Sequence, residues 1–101
     1  MKRIARIGDL VSGVCYAHHD PVDWTGTFNT GSGVVTAEGQ GVARIGDTGS
    51  TSCGHTFRAI EGSGVITADG ISVAREGDHV EVIEGGTGII TGGSSLVRDY
   101  S

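Results

Sequence analysis

The sequence predicts an all-β domain of short hairpins related by pseudo-threefold symmetry, and three observations predict it. The stretch Gly31–Asp47, GSGVVTAEGQGVARIGD, returns as Gly62–Asp78, GSGVITADGISVAREGD, displaced by 31 residues. A fixed period in so short a chain is one supersecondary unit repeated. Nineteen glycines count against helices, where each costs about 1 kcal/mol relative to alanine. The branched bulk is valine, isoleucine and threonine, with aromatic residues at only 5%, and stiff β-branched side chains pack well on a pleated surface.

Taken in order, residues 1–9 read as a short strand and a turn at Gly8-Asp9, the back half of a repeat whose front is missing. Residues 10–30 are the least repetitive segment and hold the only proline, Pro21, and the only tryptophan, Trp24. The first full copy, 31–47, predicts a hairpin: Val34-Val35-Thr36, a turn over Ala37–Gln40, then Gly41–Ile45. The second, 62–78, predicts the same with Val65–Thr67, a turn at Ala68-Asp69-Gly70 and Ile71–Arg75. Thr87–Thr91 and Leu96–Arg98 supply strands for a final partial copy, 93–101. Three such units, each unable to bury its own apolar face, are expected to close around a shared core as a single domain over residues 1–101.

Composition narrows the function. A formal charge of −5, with no basic run longer than Lys2-Arg3, argues against a nucleic-acid groove, which needs a concentrated positive footprint. No segment is apolar over the roughly 20 residues that span a bilayer, and the N-terminus lacks the apolar stretch of a secretory signal. The expectation is a protein made in the cytoplasm that leaves a cell only as part of something else.

Repeat register gives the two cysteines meaning. Cys15 stands six residues after Asp9, and Cys53 six after Asp47; the third equivalent, six after Asp78, is Glu84. Positions equivalent about a threefold axis are equidistant from it and can converge on one ion. Each cysteine has histidines close by, His18 and His19 after Cys15 and His55 after Cys53. Two thiolates and two imidazoles would make a tetrahedral site suited to Zn2+ or Fe2+. The preferred ligands are therefore Cys15, His18, Cys53 and His55; His19 competes with His18, and His79 is a candidate to replace one cysteine. Such a closed site leaves no position for a substrate water. A disulfide between the two cysteines is the competing reading.

Arg6, Arg44 and Arg75 recur three residues before Asp9, Asp47 and Asp78, which predicts a repeated guanidinium bonding turn carbonyls or a carboxylate of the neighbouring repeat. Trp24 and Phe28 are readable either as anchors for a partner or as cover for the long first connection. His55 near Ser50 or Ser52 lacks any oxyanion-hole context, so catalysis by nucleophile and base is not expected.

The letters Val42-Ala43-Arg44-Ile45-Gly46-Asp47 and Val73-Ala74-Arg75-Glu76-Gly77-Asp78, with Gly-Ser turns before each hairpin, resemble the PAAR-repeat family. Gly41 and Ser72 stand where that family carries its proline. The resemblance implies a cone-shaped β protein at the tip of a contractile injection machine, a phage baseplate or a type VI secretion apparatus. It further implies a blunt base docked on a trimeric β-helical spike protein, with Val34, Val35, Val65 and Ile66 as candidate contributors to that base. One zinc or iron ion would sit near the apex, held in most members by three histidines and one cysteine. The expected role is mechanical: to cap and sharpen the spike and help pierce the target envelope, with transient membrane contact, no catalysis and no effector extension. The alternatives are a small metal-dependent hydrolase and a redox-regulated binding module.

Overall fold

The computed structural model describes residues 2–16, 20–94 and 98–99. Twelve strands follow one another among them: β1 (Lys2–Arg3), β2 (Leu10–Cys15), β3 (Val22–Phe28), β4 (Thr36–Ala37), β5 (Gln40–Gly41), β6 (Thr48–Thr51), β7 (Thr56–Ala59), β8 (Thr67–Ala68), β9 (Ile71–Ser72), β10 (His79–Val82), β11 (Gly86–Ile90) and β12 (Arg98–Asp99). Six of these close an antiparallel barrel in the order β10-β11-β2-β3-β6-β7. The predicted all-β class is correct, but the barrel is built from the segments between the sequence repeats, of which only Thr87–Thr91 was expected as a strand, found as β11; the others were marked as connections.

The barrel encloses the main core. Along β3, Trp24 and Phe28 point inward while Asp23, Thr25 and Thr27 face out; along β7, Phe57 and Ala59 are buried on either side of exposed Arg58. This is the period-2 pattern of a sheet with one dry face. The ring of Phe57 stacks on Trp24 at a centroid distance of 5.3 Å and meets Phe28 edge-on at 5.2 Å. Both rings predicted as partner anchors or loop cover are thus interior, and neither is available to a partner. Six strands leave a narrow lumen, and glycines make room in it. A Cβ on Gly49 would lie 2.4 Å from the Phe57 ring, and one on Gly88 2.7 Å from the indole of Trp24.

Below the barrel, the repeats meet. Ile4, Val42 and Val73 open three short segments that bridge one another in a ring, Ile4 with Arg75, Arg6 with Val42 and Arg44 with Val73. At the centre, the N–H of Ala5 donates to the carbonyl of Ala74 (3.0 Å), that of Ala74 to Ala43 (2.8 Å) and that of Ala43 to Ala5 (2.9 Å). All three alanines are fully buried. The repeated alanine is explained by this closed circuit: three backbones approach a common axis, where a larger side chain would force them apart. The expected strands Gly41–Ile45 and Ile71–Arg75 therefore end early: Val42 and Val73 still bond to Val35 and Ile66 of their own repeats, but Ala43-Arg44 and Ala74-Arg75 turn away to pair with other repeats.

What remains of the hairpins is tight. In β4–β5 the central residues Glu38 and Gly39 have φ of 54° and 81°; in β8–β9, Asp69 and Gly70 have 56° and 79°. Two successive left-handed residues are what a two-residue hairpin requires to match strand twist. These hairpins pack on a second small core of Ile4, Ala37, Val42, Ala68 and Val73, with Ile66 beside it. The single shared core expected from the sequence is in fact two.

The recurring arginines clamp the junction. Arg6, Arg44 and Arg75 each donate through backbone N–H and guanidinium to the aspartate three residues on, at 2.7–3.2 Å. Arg6 also reaches Glu38 (2.6 Å) and Arg44 reaches Asp69 (2.8 Å), so these two guanidinium groups tie their own turns to the tip of the next hairpin. Burial by itself would raise the Asp47 carboxyl, but hydrogen bonds from the Arg44 side chain and backbone and from Thr30 outweigh it and hold the group below its ordinary value. A carboxyl lowered on folding contributes stability that is complete above its unfolded value and is lost as pH falls through the folded one. Acid titration of the unfolding free energy should therefore show a loss setting in below about pH 4 that is smaller in Asp47→Asn, measured by urea denaturation at successive pH values.

Candidate metal centre

The three barrel hairpins turn at the end remote from the alanine junction, and these turns gather the site. Cys15 ends β2 and is fully buried. Cys53 and His55 lie in the loop between β6 and β7. One ligand atom from each of Cys15, Cys53 and His55 lies within 4.8 Å of the other two.

Local hydrogen bonds set this arrangement. The hydroxyl of Thr51 accepts the His55 N–H at 2.9 Å and lies 3.1 Å from Cys53 Sγ, so one side chain fixes both donors of that loop. Gly54, with φ of 90°, supplies the left-handed residue that lets the chain turn between them. From the third hairpin, the carbonyl of Gly85 accepts the Tyr16 N–H at 2.9 Å and is approached by Cys15 Sγ at 3.7 Å. On the same turn, Glu84 Oε2 stands 3.6 Å from His55 Nδ1.

The donor set fits a metal. Thiolates and imidazole are the ligands of tetrahedral zinc and iron sites, and the bond lengths of such sites put neighbouring ligand atoms roughly 3.3–3.8 Å apart. All three donors lie within 4.8 Å of one another, so a contraction of at most about 1 Å reaches the upper end of that spacing. The Cys15, Cys53 and His55 group can hold an ion, and it carries three of the four ligands preferred from the sequence.

The other candidates fall elsewhere. His18 and His19 lie outside the described residues. His79 stands on β10, where its backbone N–H donates to Glu61 Oε1 at 2.8 Å and its ring Nδ1 meets the same carboxylate. These hydrogen bonds hold Glu61 below the usual carboxylate range, and His79 is not one of the clustered donors. Ser52 Oγ accepts the N–H of Thr25 at 3.1 Å, which engages the nearer of the two serines considered beside His55. Sequence reasoning missed Thr51 and Gly85. Gly85 had a legible signal, since it stands seven residues after Asp78 as Gly54 does after Asp47; Thr51 had none.

A family model described as the PAAR motif matches residues 20–87 of the chain. No curated protein and no solved structure gives a significant match.

Proposed function

The chain belongs to the PAAR-motif family, and from that premise we propose that it is a non-catalytic, metal-stabilised tip seated on the trimeric β-helical spike of a contractile injection machine. The observation that carries the reading is the hydrogen-bonded circuit of Ala5, Ala43 and Ala74. It makes one chain approximate the symmetry of a trimer, which is what a monomer capping a trimeric spike needs. Around the same end, the equivalent residues Val34 and Val65 are 81% and 72% exposed. Valines this exposed at corresponding positions suit a docking base, and their counterpart Leu96 lies outside the described residues.

At the opposite end, an ion held by Cys15, Cys53 and His55 supplies cross-linking between two hairpin loops and no chemistry on a substrate. Two thiol donors favour zinc. The capped spike would be placed at the tip of a phage baseplate or of a type VI apparatus, and the narrow metal-bearing end would meet the target envelope.

The test is binding. The purified chain is expected to co-elute with a trimeric β-helical spike protein at one copy per trimer in light-scattering chromatography, and Val34→Asp with Val65→Asp to abolish co-elution while the far-ultraviolet spectrum is unchanged. Failure to bind a trimeric β-helical spike protein that an established tip protein does bind would overturn the docking reading.

A further inference from the structure

We propose that Glu84 is the positioning carboxylate of the metal centre: it accepts the Nδ1–H of His55 and so leaves Nε2 of that ring to the ion. The proposal rests on the metal reading above.

Three independent observations place Glu84 in this role. By register it is the third-repeat counterpart of Cys15 and Cys53, six residues after Asp78. By local geometry it occupies the same place in its turn as Cys53. The N–H of Gly54 closes on the Thr51 carbonyl at 3.2 Å and that of Gly85 on Val82 at 3.0 Å, and both closing glycines have positive φ. Cys53 and Glu84 are therefore the third residue of matching four-residue turns. By proximity, its carboxylate faces His55 Nδ1 at 3.6 Å, while the next residue, Gly85, is bonded to the Cys15 loop.

The third arm of the pseudo-symmetric site thus carries a carboxylate where the other two carry thiols. A neutral imidazole has one donor nitrogen and one acceptor. A carboxylate at Nδ1 selects the tautomer with the proton there, orients the ring and makes Nε2 a better ligand. At 3.6 Å the pair stands slightly beyond hydrogen-bond range, and contraction of the donors around an ion would close that gap.

The experiment uses the full chain loaded with zinc, in wild-type, Glu84→Ala and Glu84→Gln forms. Zinc affinity is measured by competition with a chromophoric chelator, and the His55 tautomer by long-range proton–nitrogen NMR. The expected result is one zinc per chain, an affinity about 10–100-fold weaker in Glu84→Ala and partly restored in Glu84→Gln, with wild-type His55 metallated at Nε2 and protonated at Nδ1. Metal-free melting curves of wild type and Glu84→Ala should coincide, which a purely structural role would not give. Wild-type affinity in Glu84→Ala, ligation through Nδ1, or equal destabilisation of metal-free and loaded protein sinks the proposal and leaves the metal reading standing. A wild-type chain that takes up no zinc sinks both.

Discussion

Phe57→Ala is expected to cost about 3–5 kcal/mol of folding free energy, as truncation of a buried aromatic ring does. Phe57 is fully buried and is the ring through which Trp24 and Phe28 contact each other's side of the lumen. Its removal leaves two faces of a cavity that cannot collapse, because the surrounding strands are held by ladders on both sides. Small domains have only about 5–15 kcal/mol in total, so a substantial unfolded population is expected near physiological temperature. Urea denaturation followed by Trp24 fluorescence measures the loss. Arg58→Ala, one residue away on the exposed face, should lower the same folding free energy by less than about 1 kcal/mol. Equal effects at the two positions would contradict an interior packed as described.

Replacing Cys15 and Cys53 together by serine should abolish stoichiometric metal and with it the stabilisation that ion binding confers. A ligand present at about a thousand times its dissociation constant contributes roughly 4 kcal/mol. In a domain this small that corresponds to about 15 °C or more in Tm. The expected pattern is a wild-type melting point that falls on chelation and is restored by zinc, beside a double variant that responds to neither. Mass spectrometry of metal content in the same samples ties the shift to the ion. A wild-type melting point indifferent to a strong chelator would remove the ion from the account of stability.

The repeat was the most legible part of this chain, and what it signalled was the junction. Ala43-Arg44 and Ala74-Arg75 stood out by recurrence because backbone crowding and the Arg–Asp clamp constrain side-chain identity at every turn of the pseudo-axis. The barrel was hidden for the opposite reason. Its strands, such as Thr48–Thr51 and Thr56–Ala59, are short and dissimilar between repeats, since a narrow lumen is satisfied by total volume. One repeat fills it with Phe57 and another with Val80 and Val82. Trp24 was ambiguous in the sequence for the same reason: inward direction on a barrel wall depends on pairing with strands distant in the chain. Of the metal centre, counting from each aspartate was enough to bring Cys15 and Cys53 together. His79 lies only one residue after its aspartate, and that places it on the barrel wall beside Glu61.

The alanine circuit also bears on how the chain acquires its shape. Its members come from positions 5, 43 and 74, so a nascent polypeptide still on the ribosome has no finished third to set aside while the rest is made. Contacts of such long range are slow to form, because loop entropy is spent before they return any energy. Closure of the circuit is therefore expected to come late in folding, after local pairs such as β2 with β3 have formed. Tied through one circuit, the three thirds are expected to give way together, as a single transition on heating rather than one third at a time.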